Sequence, residues 1–241
     1  HEVGRQAIMA DPNWRGCNVT MPLKRAVMPH LHSVEEPAAS IGAVNTIYPA
    51  FDRRLAGTNT DAAGFLEPLA LELQASHLFR MARIIGAGGA ARAIAHALAA
   101  ENFTLVIAAR RIEQAEQLVE SLPPRTQHHV VSLDYFASPT EFAFDDRHGL
   151  LDLVVNASPL GMRGKEPLAF DWSHAPPGAI AYDIVTDPLE TAFLKFADEA
   201  GHETIDGLAM LIGQAAAAFR LFFGENPPRQ HDGELRALLT A

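Results

Sequence analysis

Arg83-Ile84-Ile85-Gly86-Ala87-Gly88-Gly89-Ala90-Ala91 reads as a strand that turns directly into a helix through a G-x-G-x-x-A sequence. The first glycine permits the tight turn. The second lets backbone amides approach a pyrophosphate, and Ala91 is small enough for the helix to pack on the strand. The helix then presents unsatisfied N–H groups and a partial positive charge to the phosphates. Glycines also serve ordinary strand-to-helix turns, so this stretch by itself leaves a plain turn open. Its position adds information: some eighty residues precede it, so something other than the nucleotide-binding unit comes first.

Outward from the turn, strands and helices alternate. Helix Ala90–Ala100 leads to strand Thr104–Ala108 and helix Glu113–Ser121. Strands follow at Val130–Leu133, Asp152–Asn156 and Ala179–Val185, then a helix at Leu189–Ala200. Asp152–Asn156 is mostly apolar on both faces, as a covered parallel strand should be. The pattern predicts a doubly wound α/β domain over residues 77–206. Helices without an intervening strand are expected from Leu208 onward. Ahead of the turn, the reading is a helix at Gly4–Met9, a strand at Gly16–Thr20 and a helix or helix pair from Leu23 to about Ser40. Two short strands at Ala43–Tyr48 and Arg54–Ala56 come next. Thr58-Asn59-Thr60-Asp61 then starts a helix whose apolar periodicity runs to Leu73.

Composition narrows the function classes. A 241-residue chain with 48% apolar and 20% charged residues suits a globular protein with ample core. A net charge of −10, uninterrupted by any basic stripe, argues against nucleic-acid binding. One cysteine, Cys17, excludes an internal disulfide framework and suits a reducing cytoplasm. No signal-peptide pattern is seen. The most apolar stretch, Leu208–Phe223, is broken by Gln214 and Arg220 and reads as a buried helix rather than a membrane span. Eleven histidines include no metal-ligand spacing, and His128 and His129 read as surface residues, so no metal site is expected.

Four places could carry chemistry. The second strand of the nucleotide unit ends in Ala108-Ala109-Arg110-Arg111, with no acid at the tip to bond a ribose 2′-hydroxyl. Two guanidinium groups suit a 2′-phosphate and favour NADP over NAD, against a plain pair of solvated arginines. Asn156 and Ser158, in Asn156-Ala-Ser-Pro-Leu-Gly-Met162, fit cofactor contacts and a plain turn equally well. Lys24 and Asp61 together could hold a hydroxyl and take its proton. Separately, they fit a solvated helix residue and a helix N-cap.

The ordered series is more specific than any member. Asn18-Val-Thr-Met-Pro-Leu-Lys24, Gly42-Ala-Val-Asn-Thr46 and Asn59-Thr-Asp61 precede the glycine turn. Asn156-Ala-Ser-Pro-Leu-Gly-Met162, Tyr182-Asp-Ile-Val185 and Asp206-Gly-Leu-Ala-Met-Leu-Ile-Gly-Gln214 follow it. This series resembles the shikimate dehydrogenase family, with its quinate/shikimate and dehydrogenase-like branches, from about Gly16 to Gly224. The resemblance implies an α/β fold of two domains: an N-terminal substrate domain over 1–76, completed by helices in 207–241, and a Rossmann NAD(P)-binding domain over 77–206. It implies a reversible NADP-dependent oxidoreductase of chorismate and aromatic amino-acid biosynthesis, with NAD also possible. The expected substrate is a small cyclic hydroxy acid, and the protein a cytoplasmic monomer or homodimer.

Residue by residue, the resemblance makes Lys24 and Asp61 the catalytic pair and gives Thr20, Asn45 and Gln214 the substrate hydroxyls. Gly86, Ala87, Gly88, Gly89 and Ala90 match the pyrophosphate loop, and Arg110 the arginine that faces the 2′-phosphate. Ile184 and Gly207 match positions lining the nicotinamide, with Met210 packing near them. Three features depart from the family pattern. Residues 1–15 contain no Ser-x-Ser pair for the substrate carboxylate, Thr186 stands where a tyrosine often lies, and Ala109-Arg110-Arg111 replaces Asn-Arg-Thr. A paralogue acting on quinate or another hydroxy acid is the alternative, and a non-catalytic dinucleotide-binding module a further one.

Overall fold

Two sheets carry the architecture in the computed structural model, which describes residues 11–124, 127–141 and 149–240. The expected helix at Gly4–Met9 lies outside the described residues. The smaller sheet has four strands: β1 (Cys17–Asn18), β2 (Ser33–Val34), β3 (Thr46–Pro49) and β4 (Leu55–Thr58), in the order β1-β3-β4-β2. β3 pairs antiparallel with β1 and β4, while β2 joins β4 in parallel. Helix α1 (Ala38–Ile41) precedes β3; α2 (Asp61–Leu66) and α3 (Ala70–Gln74) follow β4. The continuous helix or helix pair expected over Leu23–Ser40 is not formed. Turns, a 3-10 turn at Met28–His30, β2 and the short α1 occupy that stretch. Pro29 and Pro37 each remove a helical N–H donor there and break the apolar pattern into pieces shorter than a stable helix.

The larger sheet is parallel throughout. β5 (Phe79–Ile85), α4 (Gly89–Ala100), β6 (Thr104–Ala108), α5 (Ile112–Glu120), β7 (His129–Val131) and α6 (Leu133–Ala137) form its first half. β8 (Leu150–Asn156), β9 (Ile180–Asp183), α7 (Ala192–Glu199) and β10 (Glu203–Ile205) form the second. The order β10-β9-β8-β5-β6-β7 is that of a doubly wound dinucleotide-binding fold, with its switch point between β5 and β8. β10 is a sixth strand that the sequence reading lacks. It is three residues long, and Glu203 and Thr204 are exposed, so it has no apolar alternation to betray it. Helices α8 (Gly207–Phe223) and α9 (Asp232–Thr240) close the chain.

The main core lies between these parts and joins them. Ala82 and Ile84 of β5, Leu153 and Val155 of β8, and Ile94 and Leu98 of α4 meet Phe65 of α2 and Met210 of α8 in one cluster. Phe65 stacks on Tyr182 of β9 at 4.6 Å and 18°, an arrangement worth about 0.5–1.5 kcal/mol beyond its buried area. Thus α2 packs on both α4 and α8, so the last helices return to the N-terminal part. α8 is not wholly buried, as its sequence suggested: Leu211 is 39% and Phe223 55% exposed. His128 likewise lies half-buried rather than on the surface, and its Nδ1 accepts a bond from Leu105 N.

Candidate active site

Lys24 and Asp61, 37 residues apart, meet at 2.5 Å between Nζ and Oδ2. The local chain explains how. Asn59 Oδ1 accepts from the backbone N–H of Asp61 at 2.9 Å and from Ala62 at 3.4 Å, so Asn59 satisfies the helix start. Asp61 is thereby released from capping duty and aims its carboxylate at Lys24. The Asn59 amide donates to Ala43 O at 2.9 Å, tying the same turn to the loop before β3. On the other side, Val44 N donates to Lys24 O at 2.8 Å and Val19 N donates to Asn45 O at 2.6 Å. The Thr20–Lys24 loop is therefore stitched to the segment Val44-Asn45 that leads into β3.

Asn45 organises the pair from below. It is 2% exposed, and its amide donates to Asp61 Oδ1 at 2.8 Å and Thr60 Oγ1 at 3.0 Å. Its Oδ1 accepts from Thr60 N at 2.7 Å. The same amide lies 3.3 Å from Gln214 Oε1 on α8, while Gln214 Nε2 donates to Leu211 O at 3.0 Å. α8 comes this close because Gly64 has no side chain; a Cβ there would lie 2.4 Å from Gln214 N. Lys24, Asp61, Asn45 and Gln214 thus converge on one wall, and Thr20 stands exposed at its rim. Thr46 and Thr60 belong to this network and were not singled out from the sequence. Only their places in Asn45-Thr46 and Asn59-Thr60-Asp61 hinted at them.

The glycine turn faces that wall. Gly89 begins α4, and a Cβ on it would sit 3.2 Å from Lys24 Cβ and 3.3 Å from Lys24 Cδ. Gly86 has φ +123°, and its missing Cβ leaves room for Ala157 O, 2.6 Å from where that atom would be. At Gly88 a Cβ would meet nothing within 4 Å, so the turn opens onto free space beside the first-turn amides of Gly89 and Ala90. Ala87 is half-buried against the main core. The strand ends align beside it: Gly86 N donates to Ala108 O at 2.7 Å, Ala157 N to Ile85 O at 2.8 Å, and Ile184 N to Asn156 O at 3.1 Å. Arg110 and Arg111 stand exposed just past β6, with no ion pair among the described residues. Gly207 lets α8 start directly on the end of β9; a Cβ there would lie 2.3 Å from Val185 O.

Two expected cofactor contacts sit differently. Asn156 is fully buried, and its amide is spent on Leu160 O at 2.9 Å and Asp183 Oδ1 at 3.0 Å. Its Oδ1 accepts from Ser158 N at 3.1 Å and from Ser158 Oγ at 2.7 Å. With all four valences used within the chain, Asn156 shapes the loop after β8. Ser158 Oγ also accepts from Leu160 N at 3.2 Å, so the pair forms a self-satisfied turn whose backbone lines the switch point. Met210, 6% exposed, belongs to the main core. Asp183 is held by Thr191 and Val185 N, and burial, the largest influence on it, pushes its carboxyl pKa up.

A doubly wound parallel sheet, a glycine turn at its switch point and a lysine–carboxylate pair held against that turn define a two-domain oxidoreductase that uses a nicotinamide dinucleotide. Comparison with known proteins makes the class specific. Residues 4–47 match the shikimate dehydrogenase substrate binding domain, and residues 207–231 the shikimate 5′-dehydrogenase C-terminal domain. The chain is 48% identical over 234 residues to the shikimate dehydrogenase (NADP(+)) of Sphingopyxis alaskensis, covering 96% of this chain and 79% of that protein. The Thermus thermophilus shikimate 5-dehydrogenase, solved with NADP(H) and shikimate, superposes with a TM-score of 0.78 at 33% identity, covering 98% of this chain and 83% of that one. A quinate dehydrogenase from Corynebacterium glutamicum, solved with NAD, gives a TM-score of 0.80 at 32% identity, with 98% and 82% covered. The chain belongs to the shikimate dehydrogenase family.

Proposed function

We propose that this chain interconverts shikimate and 3-dehydroshikimate with NADP, using Lys24 and Asp61 as the catalytic pair. The observation that carries the reading is the 2.5 Å Lys24–Asp61 contact, braced by Asn45 and set against the first residue of α4. The bound nicotinamide supplies the two-electron acceptor for the carbinol carbon. Lys24 takes the hydroxyl proton during oxidation and returns it during reduction. Asp61 orients the amine and steadies the ammonium that forms. Asn45, Gln214 and Thr20 bond the ring hydroxyls and select the epimer. Because Asn45 also bonds Asp61, substrate seating and alignment of the pair are one event.

The residues fit NADP. Open space above Gly88 suits a pyrophosphate on the first-turn amides of α4, and Arg110 and Arg111 offer guanidinium groups where a 2′-phosphate would lie. Ile184 and Gly207 flank the nicotinamide in this reading. Residues 77–206 make up the cofactor domain, and 1–76 with 207–241 the substrate domain. Every residue given a role lies on one chain, so a monomer or a homodimer serves equally. No helix among the described residues is long and apolar enough to cross a membrane. A single free cysteine accords with a cytoplasmic enzyme.

The test is steady-state oxidation of shikimate and of quinate, each with NADP and with NAD. The reading expects shikimate with NADP to give the highest kcat/KM, by tenfold or more. A preference for quinate or for NAD would replace it with the paralogue reading, and NADP binding without any oxidation would leave a non-catalytic module.

A further inference from the structure

The first turn of α4 does more than face a cofactor. Gly89, Arg92 and Ala93 are three and four residues apart and lie on one side of the helix, toward the N-terminal part. Ala93 packs with Ile41 and Ala43 in a small core cluster. Arg92 Nε donates to Ile41 O at 2.6 Å, a carbonyl in the last turn of α1 that has no helical partner. Gly42, with φ +70°, turns the chain back at that point, and a Cβ on it would lie 3.2 Å from Arg92 Nη2. The other arm of the guanidinium donates to Ser121 Oγ at 3.1 Å, just past α5. One side chain therefore bridges the end of α1, α4 and the end of α5.

This bridge is not an ion pair. Among the described residues no carboxylate lies in salt-bridge range of Arg92, and burial together with the Arg25 charge holds its pKa below the ordinary arginine value. Keeping a half-buried cation without a counter-charge is costly compared with an apolar residue. The geometry it fixes runs straight to the catalytic pair. From Ile41 and Gly42 the chain reaches Val44, whose N–H holds the Lys24 carbonyl, and then Asn45, whose amide holds Asp61.

We infer that Arg92 is a positioning residue: it docks the pyrophosphate helix onto the Ile41–Asn45 loop and so sets the separation between the Lys24–Asp61 pair and the glycine turn. The inference rests on the dehydrogenase reading and deepens it. Hydride transfer depends steeply on the distance between the two reacting carbons, one seated on each domain, so loosening this contact slows chemistry without removing a ligand contact.

Wild type, Arg92→Ala and Arg92→Lys are compared in four measurements. These are NADPH affinity by fluorescence, kcat with 3-dehydroshikimate, the deuterium isotope effect on kcat with 4-deuterated NADPH, and amide hydrogen exchange over residues 41–46. Arg92→Ala is expected to keep NADPH affinity within about twofold. Its kcat should fall about tenfold or more, its isotope effect should rise, and exchange over 41–46 should accelerate. Arg92→Lys can keep the Ile41 bond but not the bridge to Ser121, so it should recover part of the loss. A folded Arg92→Ala with wild-type kcat, isotope effect and exchange overturns the inference. Should Arg92→Ala fail to fold, Arg92→Lys and Ser121→Ala carry the test, and wild-type values in both overturn it. A wild type inactive on shikimate would defeat the functional reading, while the exchange measurement would still decide the docking claim.

Discussion

Gly64→Ala is the perturbation whose consequence the structure fixes most tightly. Gly64 lies inside α2, three residues after Asp61, and faces Gln214 on α8. The added methyl would stand 2.4 Å from Gln214 N and 2.8 Å from Gln214 Cα. Gly213 offers no slack, since a Cβ on it would already be 3.0 Å from Gly64 Cα. Ordinary non-bonded contacts begin near 3.5 Å, so α2 and α8 must separate by about 1 Å. Overpacking costs about 1–3 kcal/mol, while alanine returns about 1 kcal/mol of helix propensity, leaving a net loss of about 0–2 kcal/mol. Stability is thus a weak readout, and geometry a strong one. Moving Gln214 about 1 Å from Asp61 should cost between about tenfold and 100-fold in kcat/KM for shikimate. NADP affinity should stay within about twofold, because Gly86–Ala90 do not touch this contact. Steady-state kinetics with urea denaturation measure both quantities, with Ala63→Ser on the exposed side of α2 as control. A folded Gly64→Ala with wild-type kcat/KM would refute the argument that this contact places Gln214.

Two other predictions concern charge. His96 is 9% exposed, and burial, reinforced by Arg92, pushes its pKa down to about 4. The unfolded chain therefore binds this proton first, near pH 6.5; the stabilisation is intact above that value and is lost as pH falls toward 4, by up to about 3 kcal/mol. Denaturation midpoints at pH 7.5 and 4.5 should differ less for His96→Gln than for wild type, and an equal difference would contradict the assignment. Arg110→Ala should raise KM for NADP about tenfold while changing KM for NAD less than about threefold. Equal effects on both cofactors would remove Arg110 from the 2′-phosphate site.

What the sequence discloses follows physical strength of signal. β5 is legible because Ile84-Ile85 runs straight into the glycine turn, whose three small residues share one spacing, and β8 because Leu153-Val154-Val155 is apolar on both faces. β10 is not, since a short edge strand with Glu203 and Thr204 in solvent needs no pattern. The stretch from Leu23 to Ser40 misleads for a different reason: helix-forming residues between Met21-Pro22 and Pro37 suggest periodicity, yet Pro29 leaves no segment long enough to propagate. At the site, Lys24 and Asp61 each fit a bland role alone and gain meaning only in an ordered series. Asn59 supplies the side-chain acceptor at the helix start that the Thr58–Asp61 signal announced, two residues before Asp61, where the cap was expected. Asn156 fits a cofactor contact and a plain turn equally well from the sequence, and its bonds to Ser158, Leu160 and Asp183 become visible only in the fold. Arg92 and the Gly64–Gly213 contact have no local signature, because each derives its role from a segment distant in the chain.

The central claim is that Lys24 moves the proton of the reacting hydroxyl. Lys24→Ala, assayed for shikimate oxidation and separately for NADPH binding, tests it most directly. The claim predicts a loss in kcat of about 10²–10⁴-fold with NADPH affinity within about twofold of wild type. Turnover within a few-fold of wild type would contradict it, and would move the proton transfer to another group.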